Sequence, residues 1–349
     1  MAADPAAMID WDLAVSLGTR LAGEGPRVTR AEADAAVAEL RAAAGRSTDL
    51  VRACTGLDAG ERTAPLLVVD RGGWVQANAD AFAHLLGPLV GRLTEKRPPS
   101  GLTLSIGSRI TGAEVGGLLG FLASKVLGQF DPFHEPTGRL LLVAPNIVDV
   151  ERQLDVDPSD FRLWVALHEE THRVQFTAVP WMRDHLQGLV AEVAGTVGGD
   201  ATSLVDGGLA RVRELLADRD ARRGSLVELF SSPAQRELLD RVTAVMSLLE
   251  GHADVVMDDV GPTVIPTVAH IRERFTERRQ GIGALDRLLR RLLGLEAKMA
   301  QYRDGARFVR GAIDAVGMHG FNAVWSAPEA LPSRAEIADP AAWVARVHG

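Results

Sequence analysis

Two histidines four residues apart, on the inward stripe of one helix, set the tightest constraint on how this chain folds. The stretch is "WVALHEETHRVQF", residues 164–176. Asp157 is placed to cap the helix, Pro158 to be its first residue and Asp160 to add acidity to the first turn, while Pro180 marks the end. Phe161, Trp164, Val165, His168, His172 and Gln175 then fall on one stripe at helical spacing. The imidazoles therefore face the core, where a polar group has to be hydrogen-bonded, paired or bound to a metal. Any fold containing this helix must bring a partner for those rings to its buried face.

Spacing of i, i+4 lets two imidazoles aim ring nitrogens at a common point, as H-E-x-x-H helices do around zinc. Here the motif reads His168, Glu169, Glu170, Thr171, His172. His168 and His172 are the expected ligands of Zn²⁺, and Glu169 the expected general base for water attacking a carbonyl. The alternative is a pair of core histidines satisfied by hydrogen bonds.

Zinc requires at least a third protein ligand. The single cysteine, Cys54, lies in a separate helical segment and reads as packing rather than as a nucleophile. A carboxylate on an apolar helix face is the better candidate. In the segment from Ser232 and Pro233, expected to run to about Asp258 before the Gly261–Pro262 pair, Leu239, Val242, Met246, Glu250, Ala253 and Met257 form a stripe. Glu250 stands where an apolar residue belongs, and a buried carboxylate is costly unless paired or metal-bound. Asp254, one turn on, is the expected hydrogen-bond acceptor for the second ring nitrogen of a ligand histidine. The rival third ligand, His252, points to roughly the opposite face.

The rest of the chain predicts a mainly α fold with a small β element before the active-site helix. Helices are expected over 12–23, 30–56 and about 77–93, with Thr29 capping the second, and strands over 64–70 and 138–148. Gly112, Gly116, Gly120, Ser124 and Gly128 recur every fourth position and predict one smooth face on a buried central helix. Residues 194–208 read as a mobile loop, and the Pro-punctuated tail as a surface wrap ending in a short helix. The domain reading is a single unit over 12–349, with an N-terminal helical lobe carrying an edge strand (12–150) and a C-terminal lobe carrying the metal ligands (151–349).

Composition narrows the function. With 349 residues, 46% of them hydrophobic, the chain can bury a large core. A net charge of −8 disfavours a nucleic-acid partner. The longest apolar run, 115–123, is too short for a membrane span, and no signal peptide is evident, so a cytoplasmic location is expected.

The stretches "WVALHEETHRVQF", "PW" at 180–181, "SLLEGHADVVMD", "KMAQYRDGARFV" and "AEIADPAAWVARV" together resemble the zincin-like metallopeptidase family of actinobacteria and chloroflexi, in a subgroup associated with deazaflavin-coenzyme biosynthesis. The resemblance runs from "IDWDLA" onward. It implies a zincin active-site helix, a hydrolase activity and a third ligand in E-x-x-x-D, which Glu250 and Asp254 match. The spacer between His172 and Glu250 is longer than in many such peptidases, which leaves 181–231 as an insertion. By analogy with zincins, "RLLLVAPN" would be the edge strand that binds substrate backbone. Tyr302, the single tyrosine, and His319 are weaker candidates to stabilise the oxyanion, the alternative being a packing aromatic and a loop histidine. The expected activity is zinc-dependent cleavage of a peptide or small amide. A metal-bound, non-catalytic binding or scaffold protein beside deazaflavin-coenzyme enzymes is the second reading.

Overall fold

The computed structural model describes residues 8–60, 63–96, 101–197, 233–280 and 295–349. It is mainly helical, with one small sheet. In chain order come α1 (Trp11–Ala22), α2 (Arg30–Thr55), β1 (Leu66–Val69), α3 (Arg71–Lys96), α4 (Gly101–Ala123), β2 (Gly128–Asp131) and β3 (Arg139–Val143). Then follow α5 (Ala144–Leu154), α6 (Pro158–Ala178), α7 (Met182–Val197), α8 (Pro233–Val264), α9 (Val268–Gln280) and α10 (Leu295–Phe321). Two 3₁₀ turns lead to α11 (Arg334–Ala338) and α12 (Pro340–His348).

The sheet order is β1–β3–β2, with β1 parallel and β2 antiparallel to β3. β3 is buried along its whole length. Its alternate side chains serve two cores. Leu141 and Val143 pack with Trp74, Val75 and Leu119, whereas Leu142 packs with Leu40, Ile147 and Phe161. This placement corrects the expected edge strand. β3 is paired on both sides and cannot accept a further strand, and the edge strand beside α6 is β2. The helical start at Ala144 also falls inside the expected strand, because Pro145 sits in the first helical turn.

Capping follows the sequence closely. Thr29 and Glu32 form a reciprocal capping box on α2, and Asp157 Oδ1 accepts from Asp160 N–H at 2.9 Å on α6. α3 begins at Arg71, earlier than expected, because Asp70 caps the chain by accepting from Gly73 N–H at 2.7 Å. α8 runs through Pro262 to Val264 rather than stopping near Asp258. Residues 194–197 of the expected loop belong to α7, and 198–208 lie outside the described residues.

The glycine face is half as expected. A Cβ on Gly112, Gly116 or Gly120 would come within 2.5–2.7 Å of the Asp10, Ala14 or Gly18 carbonyl oxygen, so α4 lies directly on the α1 backbone. Gly128, however, belongs to β2. Among the described residues the opposite side of α4 is open, with Ile106 and Ile110 58% and 52% exposed, so the helix lies in an outer layer rather than at the centre. The C-terminal tail is more than a surface wrap. Trp343 is fully buried against Phe308 and Phe321.

Candidate metal centre

Two antiparallel helices build the site. α6 contacts α8 at Gln175–Leu249 near one end and His168–Met257 near the other. On its other side α8 meets α10 with no side chain between the backbones. A Cβ on Gly305 would overlap the Ser247 carbonyl, and one on Gly251 would overlap Gly305. Glu250 therefore sits on a helix wedged between two others.

His168, His172 and Glu250 converge there, their donor atoms all within 4.8 Å of one another. His172 Nε2 lies 3.3 Å from His168 Nε2 and 3.4 Å from Glu250 Oε2, and His168 Nε2 lies 3.6 Å from that same oxygen. Three ligands on one tetrahedral zinc stand about 3.3–3.5 Å apart, so the spacing suits zinc. Glu250 Oε2 is buried and has no hydrogen-bond partner, as expected of an atom placed for a cation. The donor set, two imidazoles and a carboxylate, also suits zinc.

The electrostatics follow from this packing. Burial alone would lower the His172 pKa, but the Glu250 carboxylate more than offsets it and raises it to about 9. Burial would raise that of Glu250, yet the two imidazoles hold it well below the usual carboxylate value. Fully buried His252 is pushed down to about 3 by desolvation, with His172 adding to the effect. Glu170 faces away from the cluster. It is fully buried and its carboxyl is raised to about 7 by burial, against the opposing pull of Arg173 and Thr48, which hydrogen-bond its Oε2.

Glu169 points to the sheet side, beneath β2. A Cβ on Gly128 would lie 2.5 Å from Glu169 Cγ and 2.9 Å from Oε1, so the strand passes over the carboxylate only because this residue is glycine. Further along, Phe130 stacks on Phe176 at 5.4 Å, so β2 and α6 run side by side. The opposite face of β2 is held by Gln129 Nε2–H to Asn78 Oδ1 at 3.0 Å and by the buried Arg139–Asp131 pair, also 3.0 Å.

His252 is set apart from the cluster, packed on Phe321 and Trp325. Asp254 is half-buried one turn past Glu250. The ring nitrogens that sequence reasoning left to it face other groups: His172 Nδ1 is 2.9 Å from Gln175 Oε1, and His168 Nδ1 is 3.3 Å from Met257 Sδ. Gln175 was legible as a member of the inward stripe but had no assigned role. Tyr302 belongs to α10, and its side chain lies outside the described residues. His319 is exposed beyond the break in α10 at Gly317, whose φ is +73°.

A helix bearing two imidazoles and an adjacent glutamate, faced by a carboxylate on a second helix, is the donor arrangement a zincin-type centre calls for. The chain belongs to the zincin-like metallopeptidase family, whose profile matches residues 9–344. Among solved structures it is similar to a Chloroflexus aurantiacus protein described as a "putative hydrolase with a novel fold". The two share 31% identity and a TM-score of 0.70, over 97% of this chain and 99% of that one. No curated protein matches the chain. Among the described residues, no helix is long and apolar enough to cross a membrane.

Proposed function

We propose that residues 12–349 form a single zinc-dependent hydrolase unit that cleaves a peptide or small amide bond. The observation that carries this reading is the buried Glu250 Oε2, without a hydrogen bond and facing two imidazole nitrogens at 3.4 and 3.6 Å, with Glu169 next in sequence to one of those histidines. His168, His172 and Glu250 would hold the zinc. When bound, zinc would supply a Lewis acid that polarises the scissile carbonyl and acidifies water.

The chain's own residues do the rest. Glu169 takes the proton from the attacking water on its carboxylate and delivers it to the leaving nitrogen. Gly128 leaves room for that carboxylate, and the β2 edge offers backbone groups to an extended substrate. Tyr302 and His319 are the candidates for oxyanion stabilisation, and Tyr302→Phe and His319→Gln tell them apart.

The test is metal content and peptide turnover on the same samples. Wild type should bind about one zinc per chain, and Glu250→Ala should lose it. Glu169→Gln should keep its zinc and lose about 10²–10⁴-fold in turnover. Normal turnover by Glu169→Gln would refute the general-base assignment. Zinc bound without turnover on any peptide or amide would favour the binding or scaffold reading.

A further inference from the structure

We propose that Gln175 is the positioning residue that presents His172 to the metal through Nε2, its amide oriented by the Leu249 carbonyl and supported by His252. The proposal rests on the metal-site reading above.

The Gln175 side chain is fully buried, close to one turn past His172 on α6. Its Nε2 lies 2.9 Å from the Leu249 carbonyl oxygen. That oxygen only accepts, so the contact identifies the nitrogen end of the amide. Oε1 then faces His172 Nδ1 at 2.9 Å. A carbonyl oxygen also only accepts, so Nδ1 must carry a proton. The nitrogen left to give up its proton to a metal is thereby Nε2, the atom that faces Glu250 and His168. With the amide reversed, its NH₂ would meet Nδ1, the last ring proton would stay on Nε2, and no lone pair would face the metal.

Leu249 uses one of the two N–H groups of the amide. The second points to His252 Nδ1, at 2.9 Å. This nitrogen accepts, so the His252 proton sits on Nε2, among Phe321 and Trp325. Reversing Gln175 would set its carbonyl oxygen against the Leu249 carbonyl, which can only accept, and would require His252 to move its ring proton to Nδ1. The Leu249 carbonyl thus makes one orientation far better than the other, His252 takes up the second N–H, and the His172 tautomer follows.

The experiment pairs zinc affinity, by competition with a chromophoric chelator, with long-range ¹H–¹⁵N spectra of the histidine rings in zinc-loaded protein. Gln175→Met keeps the length of the side chain and removes donor and acceptor. It should weaken zinc binding about 10–100-fold and abolish the slowly exchanging, downfield Nδ1–H signal of His172, while the ring pattern of His168 and the circular dichroism stay unchanged. His252→Leu should weaken zinc less, and adding it to Gln175→Met should cost nothing further, because the two act in series. Should Gln175→Met fail to fold, His252→Leu decides, and unchanged zinc affinity there overturns the proposal. Wild-type affinity and an intact Nδ1–H signal in folded Gln175→Met, or fully additive losses, overturn it while the metal reading stands. Wild type that takes up no zinc refutes the metal reading and this proposal with it.

Discussion

At the scale of single residues, the candidate site is legible in proportion to how badly a side chain fits its surroundings. His168, His172 and Glu250 stand out because each interrupts an apolar stripe, and only a metal or a strong partner makes such burial affordable. Gln175 lies on the same stripe, but an amide carries no charge and no motif, so its pairing with His172 is visible only in three dimensions. Gly128 is less legible still, since its importance is the absence of an atom. Gly128→Ala should push the Glu169 carboxylate aside, given the 2.5 Å approach to Cγ. We expect zinc stoichiometry to stay at the wild-type value while kcat falls by about 10²-fold, in line with a displaced general base. Loss of zinc together with activity would mean that the glycine serves the ligands instead.

At the scale of elements, long helices were readable and short strands were not. α2 and α6 announce themselves by caps and periodicity. β2 is four residues of mixed character, "GQFD", whose pairing with β3 is a tertiary effect. The Gly261–Pro262 pair misled for a related reason. Proline forbids one hydrogen bond but does not forbid a last turn beyond it, and Ile265 N–H still reaches the Gly261 carbonyl at 2.8 Å.

The α8–α10 crossing makes a sharp prediction. Gly305→Ala would drive a methyl into the Ser247 carbonyl and should cost at least about 1–3 kcal/mol in urea denaturation, as overpacking does. Zinc affinity should fall with it, because the displaced helix carries Glu250. A second prediction concerns α11. Burial alone would raise the Glu336 carboxyl, but hydrogen bonds from Arg346 and Ser333 hold it below its ordinary value. A carboxylate lowered on folding stabilises above its unfolded pKa, about 4.3, and that contribution is lost as pH falls through the lower folded value. Glu336→Gln should therefore lower the melting temperature at pH 7 and do so progressively less towards pH 3. An equal loss at both pH values would show that charge is not what the clamp uses.

Across the whole molecule, residues far apart in sequence share cores. Leu40 of α2, Leu142 of β3, Phe161 of α6 and Ile271 of α9 belong to one cluster. Another cluster joins Met182 of α7 and Leu248 of α8 to Phe321 of α10 and Trp343 of α12. Its aromatic members lead towards the candidate metal centre. Trp343 packs on Phe321 at 6.1 Å, Phe321 stacks on His252 at 5.7 Å, and His252 bonds Gln175. Trp343→Ala should cost about 3–5 kcal/mol of stability, read from the same denaturation curves. Where the variant is still folded, zinc should bind more weakly than to wild type. Unchanged zinc affinity in the folded variant would confine the effect of the tail to packing.

The buried tryptophan also has a meaning in time. His168 and His172 are synthesised before Glu250, and all three before Phe321 and Trp343, whose rings close the aromatic stack on His252. A chain synthesised only as far as α8 would hold the three candidate ligands without the packing that aligns them. Competence to take up metal is thus expected to follow the docking of Trp343 rather than the synthesis of the ligands.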